Sequence, residues 1–184
     1  MDFLRKECSA ERFLLYMVPG RPERPPPLNT ISKYIDILEK AFIVFRIGSY
    51  SRNLRNEIKK SRKVYFHDIG IRNYVLGDWR TLAQRGGDES GRIWENYFVA
   101  ERRKFNMAVA SETRMFFWRT TQQQEVDLVE ESSGGLRAYE IKWNPLKTKG
   151  SISKTFMAAY PGATCRFVSP RDYISELSES SGPS

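Results

Sequence analysis

The chain has 184 residues, 40% hydrophobic and 13% aromatic, enough for one domain with a real core. A formal net charge of +8 and a pI near 9.6 favour an anionic partner, nucleic acid first, with plain solubility as the bland alternative. The single histidine, His67, excludes histidine-rich metal centres and histidine-based triads built elsewhere, and no apolar run approaches the roughly 20 residues of a membrane span. Cys8 and Cys165 form no CxxC pair and no signal peptide is visible, so a reducing cytoplasm is the expected setting.

Residues 1–28 carry a helical apolar spacing (Phe3, Leu4, Phe13, Leu14, Met17), followed by a proline-rich stretch that forbids helix and reads as a linker. Asn29 or Thr30 can cap a helix to about Ala41, with Ile31, Tyr34, Ile35, Leu38 and Phe42 on one stripe. Phe42 to Ile47 reads as a strand. Between Arg46 and Lys63 lie seven positive residues (Arg46, Arg52, Arg55, Lys59, Lys60, Arg62, Lys63) against Glu57 alone. Tyr50 and Tyr65 flank this segment, an electrostatic footprint for a phosphate backbone. The order helix, strand, basic loop, strand over 29–64 resembles a winged helix, with Lys33 as a phosphate contact. A helix packed on a protein partner, and a loop solvated or docked on an acidic domain, are the competing readings.

Val64 to Phe66 predicts a short strand. Asp68-Ile69-Gly70 leads into a helix over 71–76 that Gly77 ends. His67 reads as structural or surface. Leu82 to Gly91, with Gly86, Gly87 and Gly91, reads as a flexible loop. A helix over 92–105 follows, with Trp94, Tyr97, Phe98, Glu101 and Phe105 on its stripe and Glu95 at the border.

Phe116 to Trp143 organises the rest. It predicts three strands: Phe116–Arg119, Glu125–Glu130 and Leu136–Trp143, the last two joined by a turn over Ser132–Gly135. With Ser133 and Gly134 as a two-residue turn, facing positions sum to 267. One face then carries Val126, Leu128, Tyr139 and Ile141; the other carries Glu125, Asp127, Glu140 and Lys142. Asp127 facing Glu140 is a like-charge conflict that a hard divalent cation resolves. Lys142, two residues after Glu140, could orient a water or stabilise developing charge, the outline of a phosphodiester-hydrolysing site. The competing reading is a charged sheet face, with Glu125 opposite Lys142 as a surface ion pair of little worth. Beyond it, Lys147, Lys149 and Lys154 precede a helix capped by Ser151 or Ser153 and running to Tyr160. Thr164–Val168 reads as a strand, Asp172–Leu177 as a last helical turn, and 178–184 as a disordered tail.

Asp127 followed by Glu140-Ile141-Lys142 on adjacent strands after an acidic helix resembles the PD-(D/E)XK nuclease superfamily. The wider wording, YIDILEKAFIVFRI, YSRNLRNEIKKSRKVYFHDIGIRNYVLG, GRIWENYFVAERRK, FFWRTTQQQEVDLV and YEIKW, resembles the DUF4143 domain over roughly Asn29 to Leu177. That domain is usually the C-terminal half of a bacterial or archaeal P-loop ATPase-like protein. The resemblance implies an α/β fold: a restriction-endonuclease-like αβββαβ core with a mixed sheet over 65–177, preceded by a partial winged-helix-like segment. It also implies Glu95 as an acidic residue aimed at the site, beside Asp127, Glu140 and Lys142, with Mg²⁺ held by Asp127 and Glu140. No G-x-x-x-x-G-K-[ST] occurs, so no ATP site is expected in this chain, which reads as the C-terminal part of a longer protein.

Two functions remain open at this point. One is a Mg²⁺-dependent nuclease-like domain that binds nucleic acid, DNA first, through Lys33, Arg52, Arg55, Lys59, Lys60, Arg62 and Lys63. The other is a catalytically silent module that contacts an ATPase domain or another protein. Neither involves a membrane.

Overall fold

The computed structural model describes residues 28–52, 61–144, 146 and 154–178. The expectations for the N-terminal helix and linker, Arg55, Lys59, Lys60, Lys147, Lys149, the Ser151 or Ser153 cap and the tail beyond 178 fall outside these residues. The described elements are α1 (Leu28–Lys40), β1 (Val44–Ser49), β2 (Arg62–Phe66), α2 (Ile69–Leu76), a 3₁₀ turn (Leu82–Gln84), α3 (Gly87–Ala108), β3 (Arg114–Arg119), β4 (Glu125–Ser132), β5 (Gly135–Ile141), α4 (Lys154–Ala159), β6 (Thr164–Val168) and α5 (Tyr173–Ser178). They form an α/β structure with one mixed six-stranded sheet of order β2-β1-β3-β4-β5-β6. β1 runs parallel to β3, and β5 parallel to β6; the other neighbours are antiparallel. The β1–β2 hairpin thus joins the same sheet as the later strands.

Helix α1 buries Ile35 and half-buries Ile31 and Leu38 against Val44, Val64 and Phe66. Phe42 does not extend that stripe; it is 78% exposed. It takes a left-handed φ of 56°, and Phe42 N–H and Ile43 N–H donate to the carbonyls of Glu39 and Leu38. This paired closure of a helix end turns the chain away and delivers Ile43 rather than Phe42 to the apolar cluster. The strand therefore starts at Val44. Helix α2 begins at Ile69, two residues before the expected start, with the Asp68 carboxylate accepting from Ile71 N–H at 3.1 Å. It ends at Gly77, φ 62°, in the same closure.

The loop expected over 82–91 is largely structured. Arg85 is almost wholly buried; its guanidinium reaches the carboxylates of Asp78 and Glu89 at 2.7 Å each and the carbonyls of Asp78 and Arg80. Ser90 Oγ donates to Leu82 O at 2.7 Å. Those ties, with Asp88 and Glu89 in the first turn, let α3 start at Gly87 and absorb Gly87 and Gly91.

The two sheet faces carry separate cores. Phe45, Ile47, Tyr65, Phe117, Leu128, Tyr139 and Ile141 pack with Trp94, Phe98 and Val99 of α3, and Tyr173 and Leu177 of α5 close over them. Trp118, Val126, Val129 and Ala138 pack with Phe156 and Tyr160 around α4. The turn register is as expected: Ser132 pairs with Gly135 and Leu128 with Tyr139, both summing to 267. The shared face expected for Val126 and Leu128 does not form. β3 and β4 slip between the pairs Phe116↔Val129 and Trp118↔Val126, so Asp127 and Leu128 together stand opposite Phe117 alone. This β-bulge resets the alternation, sending Val126 to the α4 side and Leu128 to the α3 side.

Candidate functional site

The bulge decides where Asp127 goes. The described β4–β5 ladder stops at Leu128↔Tyr139, and Asp127 and Glu140 are not ladder partners. In place of a backbone carbonyl, Asp127 Oδ2 accepts the Ile141 N–H at 2.8 Å. This holds the carboxylate at the end of β5, where Lys142 leaves the strand. Lys142 Nζ pairs with Glu140 Oε1 and lies 3.9 Å from Asp127 Oδ2. Asp127, Glu140 and Lys142 therefore meet through the lysine.

Glu95 comes to the same place from α3. Its Oε1 accepts from Lys63 Nζ at 2.8 Å and from Tyr65 OH at 2.7 Å, rather than pairing with Arg92 or Arg102. Lys63 also pairs with Glu125, which Arg119 Nε approaches at 3.5 Å. Glu125 thus faces Lys63 and Arg119, not Lys142 as the strand arithmetic suggested. The centre brings together the carboxylates of Glu95, Glu125, Asp127 and Glu140 with the cations of Lys63, Lys142 and Arg119.

The electrostatics follow from this crowding. Burial, then the neighbouring Glu95 and Glu140, push the Asp127 carboxyl up to about 7, against the pull of Lys63 and Lys142. Burial opposes ionisation of Glu95 too, but Lys63 and the Lys63 and Tyr65 hydrogen bonds outweigh it and hold Glu95 below its ordinary value. Lys63 stands well above the ordinary lysine value because its acidic neighbours, Glu95 first, outweigh burial; Lys142 is raised likewise, with Asp127 first.

Glu95, Asp127, Ile141, Lys142 and Trp143 line a cleft of ≈ 890 Å³ whose rim carries Arg92 and Arg171. Gly87 and Gly91, on the first turns of α3, form part of its wall. The exposed acid Asp88 lines the same cleft, so its outer wall carries two arginines and one carboxylate.

Among the described residues, the basic side chains named from sequence do not gather on one surface. Lys63 turns into the carboxylate centre. Arg52 pairs with Glu131, which Arg114 also contacts, and Arg46 pairs with Asp36 at 2.9 Å and with Glu39. Lys33 on α1 and Arg62 on β2 are exposed. Sequence reasoning placed Glu125 on the face of Asp127 and Glu140 but with Lys142 as its partner, and missed Tyr65 in the centre and Arg92 and Arg171 at its rim. Lys63 and Tyr65 were findable, since their spacing of two on a strand puts both on one face.

Among the described residues no group of three or more His, Cys, Asp or Glu side chains is arranged to hold a metal ion. Asp127 and Glu140 form a pair of hard oxygen donors, and Mg²⁺ is commonly held by one or two carboxylates with water and substrate phosphate completing its shell. The donor chemistry therefore fits that ion. No helix among the described residues is long and apolar enough to cross a membrane.

The chain is similar to curated proteins of three organisms, each named only as uncharacterized. It is 32% identical over 131 residues to uncharacterized proteins of Mycobacterium bovis and Mycobacterium tuberculosis, covering 71% of this chain and 28% of each relative. It is 31% identical over 78 residues to an uncharacterized protein of Haemophilus influenzae, 42% of this chain and 18% of that one. The chain thus spans under a third of the length of the curated relatives it matches. No solved structure gives a significant match. Residues 90–180 match the family model of a domain of unknown function, DUF4143, and residues 27–81 match that of a second, DUF8612.

Proposed function

We propose that this chain is a nucleic-acid-binding, Mg²⁺-dependent phosphodiesterase-type domain of the PD-(D/E)XK kind, part of a longer ATPase-like protein. One observation carries the reading: Asp127, Glu140 and Lys142 meet at the ends of β4 and β5, beside Glu95, in a cleft rimmed by Arg92 and Arg171. The run α3-β3-β4-β5-α4-β6, helix then three strands then helix and strand, supports a restriction-endonuclease-like core.

In this reading Asp127 and Glu140 hold the ion. Bound there, Mg²⁺ supplies Lewis-acid polarisation of a phosphate oxygen and a lowered pKa for water. Lys142 places an ammonium beside both carboxylates, where it stabilises negative charge gathering on the phosphoryl oxygens. Arg92 and Arg171 receive the flanking phosphates, and Ile141 N–H keeps the Asp127 carboxylate from rotating away. Incubation with labelled single- and double-stranded DNA and RNA, with and without Mg²⁺ or Mn²⁺, tests this. Metal-dependent cleavage should disappear in Asp127→Asn and Glu140→Gln; no cleavage by the parent on any of the four substrates counts against the enzyme.

A second reading, an inactive interaction module, draws on the exposed Ile37 and Phe42 at α1 and on the lysines already paired with the carboxylates. It predicts capture of a protein partner through α1, unaffected by Asp127→Asn.

A further inference from the structure

Lys63 belongs to the most basic stretch of the sequence, yet its side chain points inward. It sits on β2 two residues before Tyr65, and its side chain is 19% exposed. The ammonium reaches Glu95 Oε1 on α3 at 2.8 Å and pairs with Glu125 at the start of β4. It also lies 5.4 Å from the centroid of the Phe117 ring. The Tyr65 hydroxyl donates to the same Glu95 oxygen and holds it in place. A positive charge thus sits where carboxylates of two separate elements converge, with an aromatic face beneath it. That is the arrangement a bridging cation would otherwise satisfy.

The lysine comes from outside the helix-and-strands run that carries Glu95, Asp127, Glu140 and Lys142. It arrives on the β1–β2 hairpin, within residues 27–81, whereas the four partners lie within 90–180. Resting on the Mg²⁺ reading above, we infer that Lys63 is a resident second cation of this centre, so that the site takes one divalent ion at Asp127 and Glu140 and none between Glu95 and Glu125. The hairpin is then part of the site: it fixes the ion count and holds Glu95 and Glu125 in position.

The count of bound Mn²⁺, by calorimetric titration and equilibrium dialysis of the whole chain, tests this without any activity assay. The parent should take one equivalent. Lys63→Met keeps the length and removes the charge, and should take a second. Lys63→Met/Glu125→Gln removes one charge of each sign and should return to one. Glu125→Gln alone removes one negative charge from the centre, leaves Lys63 paired with Glu95 only, and should weaken the single ion about tenfold. A folded Lys63→Met that still takes one equivalent with the parent's affinity overturns the inference. So does unchanged affinity in Glu125→Gln, which decides the matter where Lys63→Met does not fold. If the parent takes no ion and Lys63→Met takes one, the lysine is the resident cation and the Mg²⁺ reading of the parent falls alone. If neither takes any, both fall.

Discussion

Arg102 and Glu130 form a buried, two-pronged ion pair between α3 and β4, with Nε to Oε1 at 2.8 Å and Nη2 to Oε2 at 2.9 Å. Asn106 Nδ2 and Tyr139 OH donate to the same carboxylate. Arg102 Nη1 also donates to the carbonyls of Glu176 and Leu177, tying the end of α5 to α3. Both charges are out of water, so removing one strands the other. Glu130→Ala should cost about 3–5 kcal/mol in urea unfolding, and Arg102→Met/Glu130→Leu should recover most of it. Additive costs in that double variant would mean the pair is not coupled. Amide exchange in α5 should quicken in Arg102→Met, because its last carbonyls lose their donor.

Local signals in the sequence located what local forces decide. The short helix after Asp68, the Gly77 stop and the 267 register each depend on a few neighbouring residues, and each appears in the structure. Interactions at long sequence range decided the rest. The bulge at Asp127 and Leu128 depends on β3, where Trp118 must reach Phe156 on one face while Phe117 faces α3 on the other. Arg85 starts α3 early by reaching Asp78. Lys63 read as a nucleic-acid contact in the basic segment because nothing local announces Glu95, 32 residues on. The acids and lysine of the motif were legible as a set; their actual partners were not.

Gly77 and Ala110 test the helix ends against each other. Both sit at positive φ, 62° and 49°, with the following N–H closing on a carbonyl of the last turn. A β-carbon in that conformation costs about 1 kcal/mol or more. Gly77→Ala should lower stability by about that amount, and Ala110→Gly should raise it by about half as much, since added chain freedom in the unfolded state offsets part of the gain. Denaturant midpoints moving in the same direction for both would contradict the assignment.

Nucleic-acid affinity should depend on the cleft rim more than on the exposed residues of α1 and β2. The Arg92→Ala/Arg171→Ala pair removes two cations beside the carboxylate centre. For duplex DNA the slope of log K against log salt should flatten by about 0.9 for each phosphate no longer neutralised, or about 0.7 for a single strand. Lys33→Ala/Arg62→Ala is the control, changing the same net charge away from the cleft. Equal weakening in the two pairs would assign the binding to overall charge.

Asp127→Asn joins the acid–base and metal behaviour in one variant. The amide keeps an oxygen for Ile141 N–H while removing the charge. In the folded chain the Asp127 carboxyl titrates near 7, far above an unfolded aspartate at about 4. Between those values the folded state holds a proton that the unfolded state has lost. This group's contribution is therefore complete below about pH 4 and declines as pH rises towards 7. Glu95, shifted the other way, remains in both proteins and cancels to first order in their difference. The variant should match the parent near pH 4 and exceed it above pH 7 by about 1–3 kcal/mol. Millimolar Mg²⁺ should close or reverse that gap at pH 8. An ion that binds only the folded parent at 100 times its Kd adds about 2.7 kcal/mol, and the variant gains little. A parent whose melting temperature ignores both Mg²⁺ and Mn²⁺ at pH 8, while the variant still shows the pH-dependent gain, would leave the carboxylate crowding real and the metal reading wrong.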